Sequence, residues 1–431
     1  MVQSTIQSPQ SLTTVFLDQP PSCLEFCPED PDYFVVGTYL LSESKNDDGE
    51  TVQKKTGSLQ LWRLDPVSSQ LTHIQTHPVP EAAIFDLHFH PRHRTLLAIA
   101  TSAGTVLFYR VARPSPSLDR EPPVIQHIRT ITVREDDPSI PALFLAWIPP
   151  QRGFLRSAAA DGFAVTFSDG KTSVFATRGG LLENVEDGFE EAASFEARES
   201  IEVWFAAWGA FQDDIEKNPA HFLFTGNDFG SLHTRRFAAR SQDEDDNDDD
   251  NKTDILPPVL LDHDDRARHH SAGVTSILPL PVPLISGAPL LLTGSYDEFL
   301  RVYHATRSGQ VLAETRLGGG VWRLQFVGKP TGSGNSRLSF LVLASCMHAG
   351  ARVLRVTWRR RRPEPAAAEE EIGEWDIEVL AQFTEHESMN YASGVWRGCE
   401  GGTVTTEGKR QLLCVSSSFY DRRVCVWRAE V

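Results

Sequence analysis

Sulphur is scarce in this sequence: six Cys and three Met among 431 residues. The cysteines form no metal-binding pattern, because Cys23 and Cys27 have no second Cys or His pair at useful spacing. No apolar run approaches the length of a membrane span, so no membrane partner is expected. The opening "MVQSTIQSPQSL" lacks the basic-then-apolar pattern of a secretory signal. That predicts a cytoplasmic protein with reduced thiols, in which the sequon at Asn251 is idle. Positive charge is short as well: 41 Lys and Arg against 58 Asp and Glu, a net charge of −17, which argues against a nucleic-acid partner. Much of that excess sits in "DEDDNDDD" (243–250), a self-repelling, solvated block. The one basic run, "RRRR" (359–362), reads as an exposed loop, with a nuclear signal or an acidic-partner contact as the alternative. Familiar catalytic signatures are missing too. There is no G-x-S-x-G elbow, and "LGGGV" is not followed by the Gly-Lys-Ser/Thr of a phosphate loop. "HESMN" lacks the second His of a zinc protease helix, and no helical period of 3.6 runs through the chain. No metal and no cofactor is therefore expected.

What is present is repetition. A short apolar strand recurs seven times: "SCLEFCP" (22–28), "IFDLHFHP" (84–91), "LFLAWIPP" (143–150), "VWFAAWGAF" (203–211), "GVTSILPLP" (273–281), "GVWRLQFVG" (320–328) and "SGVWRGCE" (393–400). Between these lie seven hairpins of a small-residue strand, a turn and an alternating strand, such as "AIATSAGTVLFYRV" (98–111) and "LLTGSYDEFLRVYH" (291–304). No such unit buries both its faces alone; seven four-stranded sheets stacked radially do. The fold class is all-β, a seven-bladed propeller of WD-repeat type, one domain over residues 1–431. Its period of about 60 residues exceeds the roughly 40–45 of a minimal blade. The surplus falls in polar or acidic insertions expected as surface loops at 42–56, 178–195, 239–268 and 358–376. The last hairpin has no outer strand after it, so "LTTVFLD" (12–18) is expected to supply one and close the ring. A closed ring needs no partner, and a monomer is expected.

In such a propeller the segment leading into each inner strand and the turn inside each hairpin lie on one face, around one end of the central channel. The lead-in segments bring Glu202, His269, His270, Gly318 to Gly320 and "HESMNY" (386–391); the turns bring Asp228, Asp297, Glu298, Cys346, His348, Tyr420 and Asp421. Convergent polar groups at a concave place make a candidate site. Part of the set has a structural reading: His270, Ser295, Tyr303 and Asp297, and likewise Asp421 with Trp427, fit the buried hydrogen-bonded network of such blades. The turn "SCMHAG" (345–350) is the departure, because Cys346, Met347 and His348 stand where neighbouring turns carry Asp. Cys346 is expected to be a small packed residue, since a nucleophilic role needs a lowered pKa.

Taken together, "EFCPEDPDYFVVGTY" (25–39), "VWFAAW" (203–208), "TGSYDEFLRVY" (293–303), "GGGVWRLQF" (318–326), "ASCMHAG" (344–350), "HESMNYASGVW" (386–396) and "SSFYDRRVCVW" (417–427) resemble one WD-repeat family, the diphthine methylesterases of diphthamide biosynthesis. The resemblance covers all but the second and third blades. It implies a carboxyl ester hydrolase that removes the methyl ester from the modified His of translation elongation factor 2, giving diphthine and methanol. Such a reaction needs an activated water or side chain, donors for the oxyanion, and aromatic or acidic neighbours for the substrate's trimethylammonium group. On that footing His386 or His348 is the candidate general base and Ser388 the nucleophile if an acyl-enzyme forms. The amides of Gly319 and Gly320, or the Arg323 side chain, would face the oxyanion, and Trp322, Tyr391 and Glu202 the cation. The competing reading is a non-catalytic scaffold that recruits pathway enzymes to the elongation factor, since a fold does not fix a function.

Overall fold

Each of the seven apolar segments becomes the innermost strand of an antiparallel sheet in the computed structural model. The structure describes residues 6–45, 48–114, 121–150, 154–155, 160–177, 188–213, 219–239, 255–332, 336–360, 373–398, 403–404 and 410–431. Alternation with apolar residues on both faces makes a strand that is covered on both sides. Tyr33–Thr38, Leu96–Thr101, Gly162–Phe167 and Leu290–Ser295 are buried at every position. Blade 1 contains Pro21–Phe26, Tyr33–Thr38, Thr51–Leu64 and Leu71–Val79; blade 2 contains Ile84–Phe89, Leu96–Thr101, Thr105–Ala112 and Val124–Thr132. Blades 3 to 6 repeat the order from inner strands Ala142–Trp147, Val203–Gln212, Val274–Pro279 and Arg323–Phe326. The described residues hold no α-helix, and none long and apolar enough to cross a membrane.

Blade 7 takes Ala392–Val395, Arg410–Ser418 and Arg423–Glu430 from the end of the chain and its outer strand, Ser11–Phe16, from the beginning. The register sets Thr14 opposite Cys425 and Val15 opposite Val424. The expected closing strand is thus in place. Cores form between sheets: Phe34 and Val36 of blade 1 pack with Val415, Val424 and Val426 of blade 7. Phe108 of blade 2 packs with Trp147 and Phe163 of blade 3.

The insertions are shorter than the sequence suggests. Leu40–Lys45 pairs with the first half of Thr51–Leu64, so 42–56 is a β-hairpin extension of blade 1 rather than a loop. Glu190–Glu196, Val259–Asp264 and Glu374–Phe383 are the outer strands of blades 3, 4 and 6. Edge strands lie against one neighbour only and carry polar residues, as in "EEAASFE", which disguises them as loop. The acidic block 243–250, Asn251 and residues 361–362 of the Arg run lie outside the described residues.

Trp427 in blade 7 is fully buried, stacks on Phe383 of blade 6 at 5.2 Å, and donates from Nε1 to Ser416 Oγ at 3.0 Å. Trp427→Ala is expected to cost about 3–5 kcal/mol, from lost contacts and the cavity left behind. Urea unfolding followed by circular dichroism measures it.

Candidate functional site

The lead-in segments and hairpin turns do meet on one face. Asn390 N donates to Met347 O at 3.0 Å, docking the "HESMNY" segment of blade 7 on the "SCMHAG" turn of blade 6. Phe419 N donates to Met389 O at 3.0 Å, which ties that segment to its own blade's turn. Gly319 and Gly320 lie against the blade 6 turn. A Cβ on Gly319 would overlap Cys346 O, and one on Gly320 would come within 2.7 Å of Met347 Sδ. Both glycines are buried, and neither N–H has a backbone acceptor among the described residues. Cys346 is fully buried and burial pushes its thiol up to about 12, so it is a packed residue.

The mouth of the channel is lined with half-buried aromatic rings. Trp204 of blade 4, Tyr296 of blade 5 and Trp322 of blade 6 lie 5.6–6.2 Å from one another. Tyr391 continues the series 5.0 Å from Trp322, and Phe419 follows at 5.5 Å. Tyr39 and Phe85 carry it onto blades 1 and 2. Carboxylates border one side: Asp228 Oδ1 accepts the Trp204 Nε1–H at 2.7 Å, and the Asp228 N–H donates to Glu202 O at 2.9 Å. Burial first, and then Asp228, raise the Tyr296 hydroxyl, and burial raises that of Tyr391. Glu202, Trp322 and Tyr391 are therefore brought together as the sequence suggested. Asp228, expected at this face as a turn residue, stands with them, as do Trp204 and Tyr296; the signal that could have found those two is the run of aromatics at matching lead-in and turn positions.

Below the rings Arg323 reaches across the channel. Its guanidinium lies 4.9 Å from the Phe144 ring of blade 3, 5.4 Å from Phe205 of blade 4 and 4.7 Å from Trp322. Nη1 donates to Thr275 O of blade 5 at 3.3 Å and to Trp322 O at 2.9 Å; Nη2 stands 3.6 Å from Asp86 Oδ1 of blade 2. Burial lowers its pKa, against the pull of Asp86. Next to Asp86 are His88 and Glu25, which the sequence reading passed over as strand residues.

The three candidate catalytic residues do not form a constellation. His386 is buried in blade 7 with Nε2 2.8 Å from Ser416 Oγ, the same oxygen that accepts from Trp427. Burial brings its imidazole down to about 4. This is the structural place held in blade 5 by His270, whose Nε2 lies 2.9 Å from Thr293 Oγ1. The blade 5 network expected around Ser295 is thus shifted by one strand repeat. Ser295 Oγ donates to Ala272 O, and Tyr303 OH to Asp265 Oδ2, because Thr293 and Ser295 share a strand face and Thr293 is the one His270 reaches. Ser388 Oγ accepts the N–H groups of Met389 at 2.5 Å and Tyr420 at 2.9 Å, with no imidazole among its partners. His348 is exposed at the tip of its turn, without a hydrogen-bond partner among the described residues.

One group has metal-like proximity, with ligand atoms of His90, His93 and Asp161 within 4.8 Å of one another. It lies past the far end of the blade 2 inner strand. His90 Nδ1 accepts the N–H groups of Arg92 and His93, Nε2 meets Asp161, and the Arg92 guanidinium also bonds Asp161. A cation of the protein already neutralises that carboxylate, so the group reads as an ionic clasp between blades 2 and 3. A groove of about 610 Å³ between the outer parts of blades 2 and 3, lined by Val133, Glu135, Lys171 and Phe189 among others, includes none of the aromatic residues of the mouth.

Fold and site define a seven-bladed β-propeller of WD-repeat type whose channel opens through an aromatic, acid-bordered mouth over a buried guanidinium. No protein-family model matches the chain. It is 26% identical to a protein named diphthine methyltransferase from Schizosaccharomyces pombe over 416 residues, 96% of each chain. Proteins of that name from Homo sapiens and Saccharomyces cerevisiae are each 24% identical. They match over 80% and 81% of this chain and 68% and 87% of their own. The likeness supports the family that the motifs resemble. Among solved structures, Sqt1 from Chaetomium thermophilum superposes with a TM-score of 0.55 over 98% of this chain and 99% of its own; at 14% identity the likeness is one of fold.

The pH dependence of stability follows from His386. Its folded pKa of about 4 lies below the ordinary imidazole value of 6.5, so its contribution is fully present above 6.5 and is lost as pH falls toward 4. In urea titrations His386→Gln is expected to be less stable than wild type at pH 7.5, with the gap narrowing at pH 4.5. His348→Ala, at an exposed tip, is expected to stay within about 0.5 kcal/mol of wild type throughout.

Proposed function

We propose that the protein acts in diphthamide biosynthesis as a carboxyl methyl ester hydrolase on elongation factor 2, releasing methanol and leaving diphthine. The observation that carries this reading is the mouth itself, in which the rings of Trp204, Tyr296, Trp322 and Tyr391 are bordered by Asp228 and Glu202. Quaternary ammonium ions are held by ring faces and nearby carboxylates, and such a contact gains strength where water is displaced. A substrate side chain bound there by its trimethylammonium group would place its ester toward Arg323, a delocalised cation suited to a carbonyl oxygen as it becomes an oxyanion. His348 and the exposed rings of Phe229 and Tyr420 stand on the rim, where they would meet the surface of a folded substrate protein. In this reading His386 and Ser388 hold the blade 7 segment that carries Tyr391.

The relatives' printed name specifies methyl transfer, the opposite change to the substrate, and the same assay separates the two. Purified protein is incubated with elongation factor 2 bearing the methylated intermediate, and in parallel with the factor lacking the ester methyl, and the modified peptide is weighed by mass spectrometry. Loss of one methyl with methanol release is the expected result. Methyl gain only when S-adenosylmethionine is supplied would sink the hydrolase in favour of the transferase, and binding without change would leave a scaffold. Trp322→Ala and Tyr391→Ala are expected to raise KM at least tenfold, and Glu202→Gln by a smaller factor.

A further inference from the structure

Four charged side chains from three blades meet in the channel beneath the mouth. His88 Nε2 lies 2.9 Å from Asp86 Oδ2, and His88 Nδ1 lies 3.3 Å from Glu25 Oε2. Asp86 Oδ1 in turn faces Arg323 Nη2 at 3.6 Å. Glu25 Oε2 also accepts the Phe89 N–H at 3.1 Å, while Oε1 has no hydrogen-bond partner among the described residues. Asp86 is 4% exposed, whereas Glu25 and His88 each keep 34% of their side-chain surface accessible although inner strands surround them. They therefore face channel space that water can enter.

A structural clasp would be shut away from water and would use every oxygen, because a buried charge costs more than its pairing returns unless all its hydrogen bonds are made. This cluster instead leaves Glu25 Oε1 without a hydrogen-bond partner among the described residues, on the same channel as the Arg323 guanidinium. We propose that it is the reacting centre of the hydrolase: Glu25 is the general base, Arg323 faces the carbonyl oxygen, and Asp86 and His88 are positioning residues that hold the two. This rests on the ester-hydrolase reading. Burial alone would lower the His88 imidazole, but Asp86 and Glu25 overrule it and keep it up at about 10. The ring stands 2.9 Å from one carboxylate and 3.3 Å from the other, an ion pair to each, although His88 Nε2 and Asp86 Oδ2 are not aligned as a hydrogen bond.

The step balances without a co-reactant. The water oxygen bonds to the ester carbon as its proton passes to Glu25 Oε1, and the carbonyl electron pair moves onto oxygen beside Arg323. Collapse breaks the bond to the methoxy group, which takes the proton back from Glu25 and leaves as methanol. The carboxylic acid that remains then ionises.

The test compares wild type with Glu25→Gln, Glu25→Asp and His88→Gln in single-turnover hydrolysis of the methylated elongation factor. Folding is checked by circular dichroism, and mouth integrity by tryptophan fluorescence quenching with tetramethylammonium. Glu25→Gln is expected to lower kcat by at least about 100-fold, with KM and tetramethylammonium affinity within about twofold of wild type. Glu25→Asp should recover part of the rate, and His88→Gln should lower kcat without moving KM. If Glu25→Gln and His88→Gln both fold and turn over like wild type while wild type hydrolyses the ester, this centre is wrong and the hydrolase stands. If wild type binds tetramethylammonium but never cleaves the ester, the hydrolase reading falls and this centre with it. Should His88→Gln fail to fold, the Glu25 pair decides alone.

Discussion

Everything at the channel mouth depends on one antiparallel pairing, that of Ser11–Phe16 with Arg423–Glu430. A propeller is a ring of sheets, each of which covers its neighbour's apolar face, and an unclosed ring leaves two such faces to water. Here the start of the chain completes the sheet at its end, so blade 1 can pack on blade 7 through Phe34, Val36 and Val415. The same closure brings Tyr39 to Phe419, residues from opposite ends of the sequence, within 6.2 Å. The site has no local sequence of its own; it is a property of the closed ring.

Seven blades leave a hole at the axis, and apolar side chains do not fill all of it. Arg323 occupies the middle, with ring faces of Phe144, Phe205 and Trp322 around its guanidinium and Asp86 beside it. Arginine suits this place because its charge is spread over a plane that stacks on aromatic rings and is weakly hydrated. Five blades touch that one side chain. A change that loosens the blades would therefore displace that guanidinium.

The architecture was legible because inner strands and hairpins are written in apolar alternation, in "LLTGSYDEFLRVYH" as in "AIATSAGTVLFYRV". The outer strands were not, because an edge strand such as Glu190–Glu196 is half in water and its polar residues read as loop. Glu202, Trp322 and Tyr391 were legible as mouth residues because they sit in lead-in segments, where a face can be assigned from topology alone. Asp86 and His88 were missed for the complementary reason. They lie within "IFDLHF", and whether an inner-strand side chain points into the axis or into the next blade depends on a bulge between Ile84 and Asp86 that no spacing announces. His386 looked reactive because its segment is rich in polar residues. Its partner Ser416 is thirty positions away, at the place that Thr293 holds for His270 in blade 5.

The guanidinium of Arg323 also decides traffic. With its plane between Phe144, Phe205 and Asp86, it narrows the axis beneath the rings. A molecule entering past Trp322 and Tyr391 would meet that plane before it met His88, two residues further along the strand of Asp86.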